Sequence, residues 1–102
     1  MLVEFLSSHS SVVGTLFSQY NLDNAPFKSG IFIIEPGFTS ILDAHSVKEC
    51  WFVFQGSGEL SLEGTVKVVR EGEMIFFNSF EKHQITNTGP RDIKILSIWW
   101  NA

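Results

Sequence analysis

Residues 37–56 read GFTSILDAHSVKECWFVFQG, and residues 72–87 read GEMIFFNSFEKHQITN. Each stretch opens on a glycine, carries a short aromatic and β-branched run, and holds one histidine accompanied by acids, His45 in the first and His83 in the second. Trp51-Phe52-Val53-Phe54 and Ile75-Phe76-Phe77 are too short for helices and are built of residues that suit a pleated surface, so each predicts a strand. Working outward, Ile31–Ile34, Val66–Val69 and Ile93–Trp99 are segments of the same kind. Turn signals at Glu35-Pro36-Gly37, Gln55-Gly56-Ser57-Gly58, Glu63-Gly64, Glu71-Gly72 and Thr88-Gly89-Pro90 punctuate them. Eight or nine such strands make an all-β sandwich or barrel. Residues 7–29 place polar, turn-prone sequence around the short apolar stretch Val12–Tyr20, which predicts loop with at most one brief strand or helical turn. Val3–Leu6 predicts a strand that pairs with a sheet edge, in this chain or in a partner.

The 102 residues, 44% hydrophobic and 18% charged, are enough for one compact domain spanning 1–102. A chain this size buries only roughly 60–65% of its unfolded surface. Ten Phe and three Trp must therefore supply much of the driving force, and a homodimer is the expected assembly. Seven Lys and Arg against eleven Asp and Glu leave a net charge of −4 without a basic cluster, which argues against nucleic acid as a partner. The single cysteine, Cys50, excludes an intrachain disulfide framework and a multi-thiolate zinc site, and it suits a reducing cytoplasm. No basic residue precedes Lys28, unlike a secretory signal, and apolar runs of four residues do not span a membrane. The expected setting is cytoplasmic, with a small molecule as the partner.

Asp43 and His45 are two apart, so an extended backbone projects them from one face, and Glu49 keeps the same parity. His83, on a separate hairpin, completes the set if it lies on the opposing strand. Asp43, His45, Glu49 and His83 are thus the candidate cluster. Trp51 and Val53 continue the inward parity and are expected to wall the site, whereas Cys50 points the other way and reads as a structural thiol. Phe80 adds a ring to the turn before His83, where it narrows a pocket mouth or packs. Trp99-Trp100 reads as a dimer seam, a pocket lid or sheet-edge packing, with the interface favoured. His9, in a serine-rich stretch, reads as an ordinary surface histidine.

The two quoted stretches resemble the paired motifs of the small single-domain cupins. The first, G-x5-H-x-H-x3-E-x6-G, falls on Gly37, Asp43, His45, Glu49 and Gly56 with every interval kept, Asp43 standing for the first histidine. The second, G-x5-P-x-G-x2-H-x3-N, falls on Gly72, Asn78, Phe80, His83 and Asn87, with Asn78 for proline and Phe80 for glycine. The resemblance implies a cupin fold, a double-stranded β-helix or jelly-roll barrel, with motif 1 over 37–56 and motif 2 over 72–87. It also implies one divalent metal ion, Fe, Mn or Zn, with His45, Glu49 and His83 as ligands and Asp43 matched by position. Asp43 is then either a fourth ligand or, left free, a catalytic acid/base. Two carboxylates neutralise a divalent ion, so the site is expected to be less drawn to anions than a three-histidine relative's. The function implied is a metal-dependent enzyme acting on a small organic metabolite by isomerase, dehydratase, cyclase or lyase chemistry. The alternatives are an Fe(II)-dependent dioxygenase and a non-catalytic sugar- or metabolite-binding module.

Overall fold

The computed structural model describes residues 6–12 and 14–101, which form nine strands and, among the described residues, no helix. They are β1 (Leu6–Val12), β2 (Thr15–Tyr20), β3 (Lys28–Ile34), β4 (Lys48–Gln55), β5 (Gly58–Leu62), β6 (Thr65–Val69), β7 (Met74–Phe77), β8 (His83–Thr86) and β9 (Ile93–Trp100). A six-stranded sheet in the order β1-β2-β3-β9-β4-β7 faces a three-stranded sheet in the order β6-β5-β8. The pairings given for both sheets are antiparallel, the all-β arrangement the alternating segments predict.

The inner faces follow the period-two pattern of their strands. Glu49, Trp51 and Val53 of β4 are buried, as are Ile93, Ile95 and Ser97 of β9. Ile34, Val53, Phe77, Ile93 and Ile95 of the large sheet meet Leu60, Val69 and Ile85 of the small one to form the core. Gly56 turns the chain from β4 to β5 at φ 82°, and a Cβ there would lie 2.8 Å from the Asp92 carbonyl oxygen, so only glycine fits.

Residues 7–29 depart from the expected loop. They contain all of β2 and nearly all of β1, paired as a hairpin in which Val12 faces Thr15, and Gly14 takes φ 78° between them. β2 runs against the whole of β3, from Thr15↔Ile34 to Tyr20↔Ser29. The apolar β3 thus recruits a neighbour of weak strand propensity, and β1, at the sheet edge, answers to one partner only. Of the expected strand Val3–Leu6, residues 3–5 lie outside the described residues and Leu6 begins β1.

After β3 the chain runs antiparallel to β8 without becoming a regular strand. Thr39 bridges Thr86 and Asp43 bridges His83, with Asp43 and His83 exchanging both backbone hydrogen bonds at 3.0 and 2.9 Å. Asn87 anchors this corner from its buried position, its side-chain amide donating to the Ile34 and Arg91 carbonyls while its own carbonyl accepts from Gly89. These bonds fix the segment carrying Asp43 and His45 over the end of the sandwich.

Candidate metal centre

Two strands and the segment between β3 and β4 deliver the four predicted side chains to one place. Glu49 comes from β4 of the large sheet and His83 from the first position of β8 in the small sheet, so the two meet across the sandwich. Asp43 is brought in by its bridge to His83, and His45 by the loop that follows. The Phe80 backbone N–H donates to the His45 carbonyl, tying the turn before β8 to that loop. His83 Nε2 lies 3.1 Å from Glu49 Oε1, and His45 Nε2 lies 3.9 Å from both Glu49 Oε1 and Asp43 Oδ2. One ligand-type atom from each of Asp43, His45 and His83 lies within 4.8 Å of the others. Asp43 and His45 occupy irregular backbone; the β8 pairing, rather than a shared strand, brings them together.

The two buried members are held rigidly. Glu49 Oε2 accepts from the Trp51 indole N–H at 2.8 Å and from the Ser97 hydroxyl. The imidazole of His83 stacks on Phe77, with centroids 4.1 Å apart and planes 16° from parallel, and meets Trp51 edge-on. Its Nδ1 lies 2.9 Å from the Glu81 carbonyl oxygen. A carbonyl only accepts, so Nδ1 carries the proton and the neutral ring presents a bare Nε2 lone pair.

That lone pair faces Glu49 Oε1, and the two atoms are buried with no hydrogen-bond partner among the described residues. Two acceptors facing each other away from water are unfavourable unless a proton or a cation stands between them. Burial pushes the Glu49 carboxyl up, but His83, Ser97 and Trp51 outweigh it and bring the group below its ordinary 4.5. Burial pushes His83 down, and Glu49, the Glu81 carbonyl and the Asp43 charge more than reverse this, lifting it above 6.5. Two imidazole nitrogens and two carboxylates form the borderline N/O donor set of first-row divalent metals, and the orphaned pair is oriented as such ligands are. The residues fit the metal that the fold implies.

Of the sequence-predicted pocket residues, Trp51 walls the cluster, but none of the three lines the open cavity. Trp51 lies behind Glu49 as its hydrogen-bond donor, Val53 is sealed in the core, and Phe80, 66% exposed at φ 64°, does not pack against the core. A cavity of about 330 Å3 opens instead toward β2 and β3, bounded by Phe17, Phe32, Ile34, Val47 and Trp99 and reaching Asp43, His45 and Glu49. The expected Trp99-Trp100 pair splits, because neighbours on a strand point to opposite faces. Trp99 lines the cavity, and Trp100 stacks with Phe76 at 6.3 Å on the other side of the sheet. Ser97 is absent from the sequence-predicted site; its one signal is that it is the polar residue in the inward series Ile93, Ile95, Ser97. Cys50 is half-buried, and burial together with the Glu49 charge pushes its thiol up, in keeping with a structural role.

Comparison with known proteins agrees with this architecture. The chain is 29% identical over 73 residues to a protein of Vibrio cholerae provisionally named a mannose-1-phosphate guanylyltransferase, a match covering 71% of this chain and 16% of that protein. This chain thus spans about a sixth of the length of that curated relative. A cupin 2 conserved barrel domain protein from Salinispora arenicola superposes with a TM-score of 0.84 at 21% identity, covering 100% of this chain and 90% of that one. A predicted oxalate decarboxylase from Thermotoga maritima superposes with a TM-score of 0.79 at 22% identity over the full length of both chains. At these identities the structures share the fold. The family model described as Cupin_2, cupin domain, matches residues 30–99, which include both motifs and the four clustered side chains, and the chain belongs to that family.

Proposed function

We propose that this chain is a metal-dependent enzyme in which His45, Glu49 and His83 hold one divalent ion, Fe, Mn or Zn, beside a free Asp43 carboxylate, and which transforms a small organic metabolite by acid/base chemistry. The observation that carries the reading is the buried, unpartnered pair of Glu49 Oε1 and His83 Nε2, 3.1 Å apart and facing one another. A divalent ion bound there supplies Lewis acidity toward a carbonyl or hydroxyl oxygen. Glu49 is fixed by two donors on Oε2, which leaves Oε1 for the ion. Asp43 is the outermost carboxylate, its side chain 35% exposed at the cavity, and takes the role of moving a proton to or from the bound molecule. The reaction is of isomerase, dehydratase, cyclase or lyase type.

The substrates in the relatives' names, a sugar phosphate and oxalate, are anions. Among the described residues no Lys or Arg lines this cavity to hold an anion, so neither substrate is carried over to this chain. Titration of metal-stripped protein with cobalt(II), followed by its visible absorption, tests the ligand set. Saturation at one ion per chain is expected, with affinity lowered more than about a hundredfold in His83→Ala, beyond the 10–100-fold that outer partners contribute. Absence of cobalt uptake, or uptake unchanged by the substitution, would count against it.

A further inference from the structure

We infer that the cavity beside the four-residue cluster takes an uncharged, largely apolar, ring-sized molecule that turns a single carbonyl or hydroxyl toward the cluster. The polar end rests on the metal reading above, whereas the apolar body rests on the cavity walls alone. Those walls are aromatic and come from three adjacent strands of the large sheet. Phe17 of β2 lies 4.5 Å from Phe32 of β3 and 6.0 Å from Trp99 of β9, centroid to centroid. Ile41 and Val47, from the segment that carries Asp43 and His45, bound the cavity as well. At about 330 Å3, and roughly 30 Å3 per water-sized group, the space holds about 11 non-hydrogen atoms, the size of two fused rings or one substituted ring.

Charge decides against the other ligand classes. Among the described residues, the titratable groups lining the cavity are Asp43, His45 and Glu49, with no Lys or Arg. An anion beside these carboxylates meets like charge in a partly desolvated site and is repelled. A divalent ion brings the two carboxylates only to neutrality, so it leaves no surplus positive charge to offset desolvating an anion. A sugar fares less well, because among the described residues only Thr15, Ser40, Trp99 and the cluster itself offer its many hydroxyls partners, and the remaining walls, Phe17, Phe32 and Ile34 among them, offer none. A flat apolar body against these rings, with one oxygen at the polar end, matches each feature.

The test uses the full 15N-labelled chain, metal-free and zinc-loaded, titrated with 2-naphthol and separately with inorganic phosphate and oxalate. The expected result is saturable naphthol binding in both forms, shifting the amide signals of Phe17, Phe32, Val47 and Trp99. The two anions should leave those signals in place, and Val47→Glu, in a half-buried loop position, should weaken naphthol at least tenfold with the rest of the spectrum retained. Stronger binding of either anion at these residues would overturn the inference. Naphthol shifts confined to the outward apolar residues Phe54, Met74 and Phe76, or affinity unchanged in Val47→Glu, would overturn it as well. The two readings fail separately: naphthol binding without zinc uptake removes the metal and keeps the cavity assignment, and zinc uptake without naphthol binding does the reverse.

Discussion

The Ser97 hydroxyl and the Trp51 indole both donate to one oxygen of Glu49, so the other oxygen is left aimed at His83. A carboxylate held in this way meets a cation with little further loss of freedom. Replacing Ser97 with Ala removes one donor and frees the carboxylate to turn, and metal affinity is expected to fall about 10–100-fold with the fold retained, as measured by competition with a chromophoric chelator. Metal-free protein has a second signature in its pH dependence. His83 titrates above 6.5 in the folded chain, so its contribution is complete below 6.5 and is lost as pH rises through the raised value. Glu49 titrates below 4.5, so its contribution is complete above 4.5 and is lost as pH falls through the lowered value. The melting temperature of metal-free protein should therefore be highest between pH 4.5 and 6.5 and decline on either side, as read by calorimetry. A monotonic rise from pH 5 to 8 would contradict the pairing. At this scale the sequence showed residue types and spacings, so Asp43, His45, Glu49 and His83 were legible. Their outer partners were not, because a hydrogen bond between Ser97 and Glu49, 48 positions apart, exists only once β9 lies beside β4.

Among the elements, the turn between β7 and β8 shows most directly what the departures from the cupin motif cost. Phe80 occupies the glycine position of the second motif at φ 64°, in the left-handed region that favours glycine and is unfavourable to a side chain by about 1–2 kcal/mol. Its ring is 66% exposed and regains little by burial. Phe80→Gly relieves that strain at the expense of a more flexible unfolded chain, and a net stabilisation of about 0.5–1 kcal/mol in urea denaturation is expected. Strands β3, β4, β6, β7 and β9 were legible from their aromatic and β-branched runs. The β1–β2 hairpin was not, because its strand character comes from β3 beside it, through the register Thr15↔Ile34 to Tyr20↔Ser29. The pocket walls shifted for the same reason. Parity along β4 puts Trp51 and Val53 on the inner face, where the structure has them, but the open space lies beneath β2, in a stretch whose sequence predicts loop with at most one brief strand or helical turn.

For the whole molecule, the centre joins both sheets and the segment between them, so an ion there ties together parts of the chain distant in sequence. At a free metal concentration a hundredfold above the dissociation constant, binding adds about 2.7 kcal/mol to unfolding. For a domain of this length that corresponds to roughly 10–20 °C in the melting temperature. The shift should be reversed by chelator and absent in His83→Ala, whose far-UV circular dichroism should stay that of a β-protein because the core of Ile34, Val53, Ile85, Ile93 and Ile95 does not depend on the site. The central claim, that Glu49 and His83 face one another in order to share a cation, is tested most directly by elemental analysis. The protein would be purified without an affinity tag or chelator, and the metal-to-chain ratio determined for wild type and His83→Ala. Close to one first-row divalent ion per chain, lost in the variant, is the predicted result; equal metal content in the two proteins, or none in the wild type even after reconstitution, would contradict it.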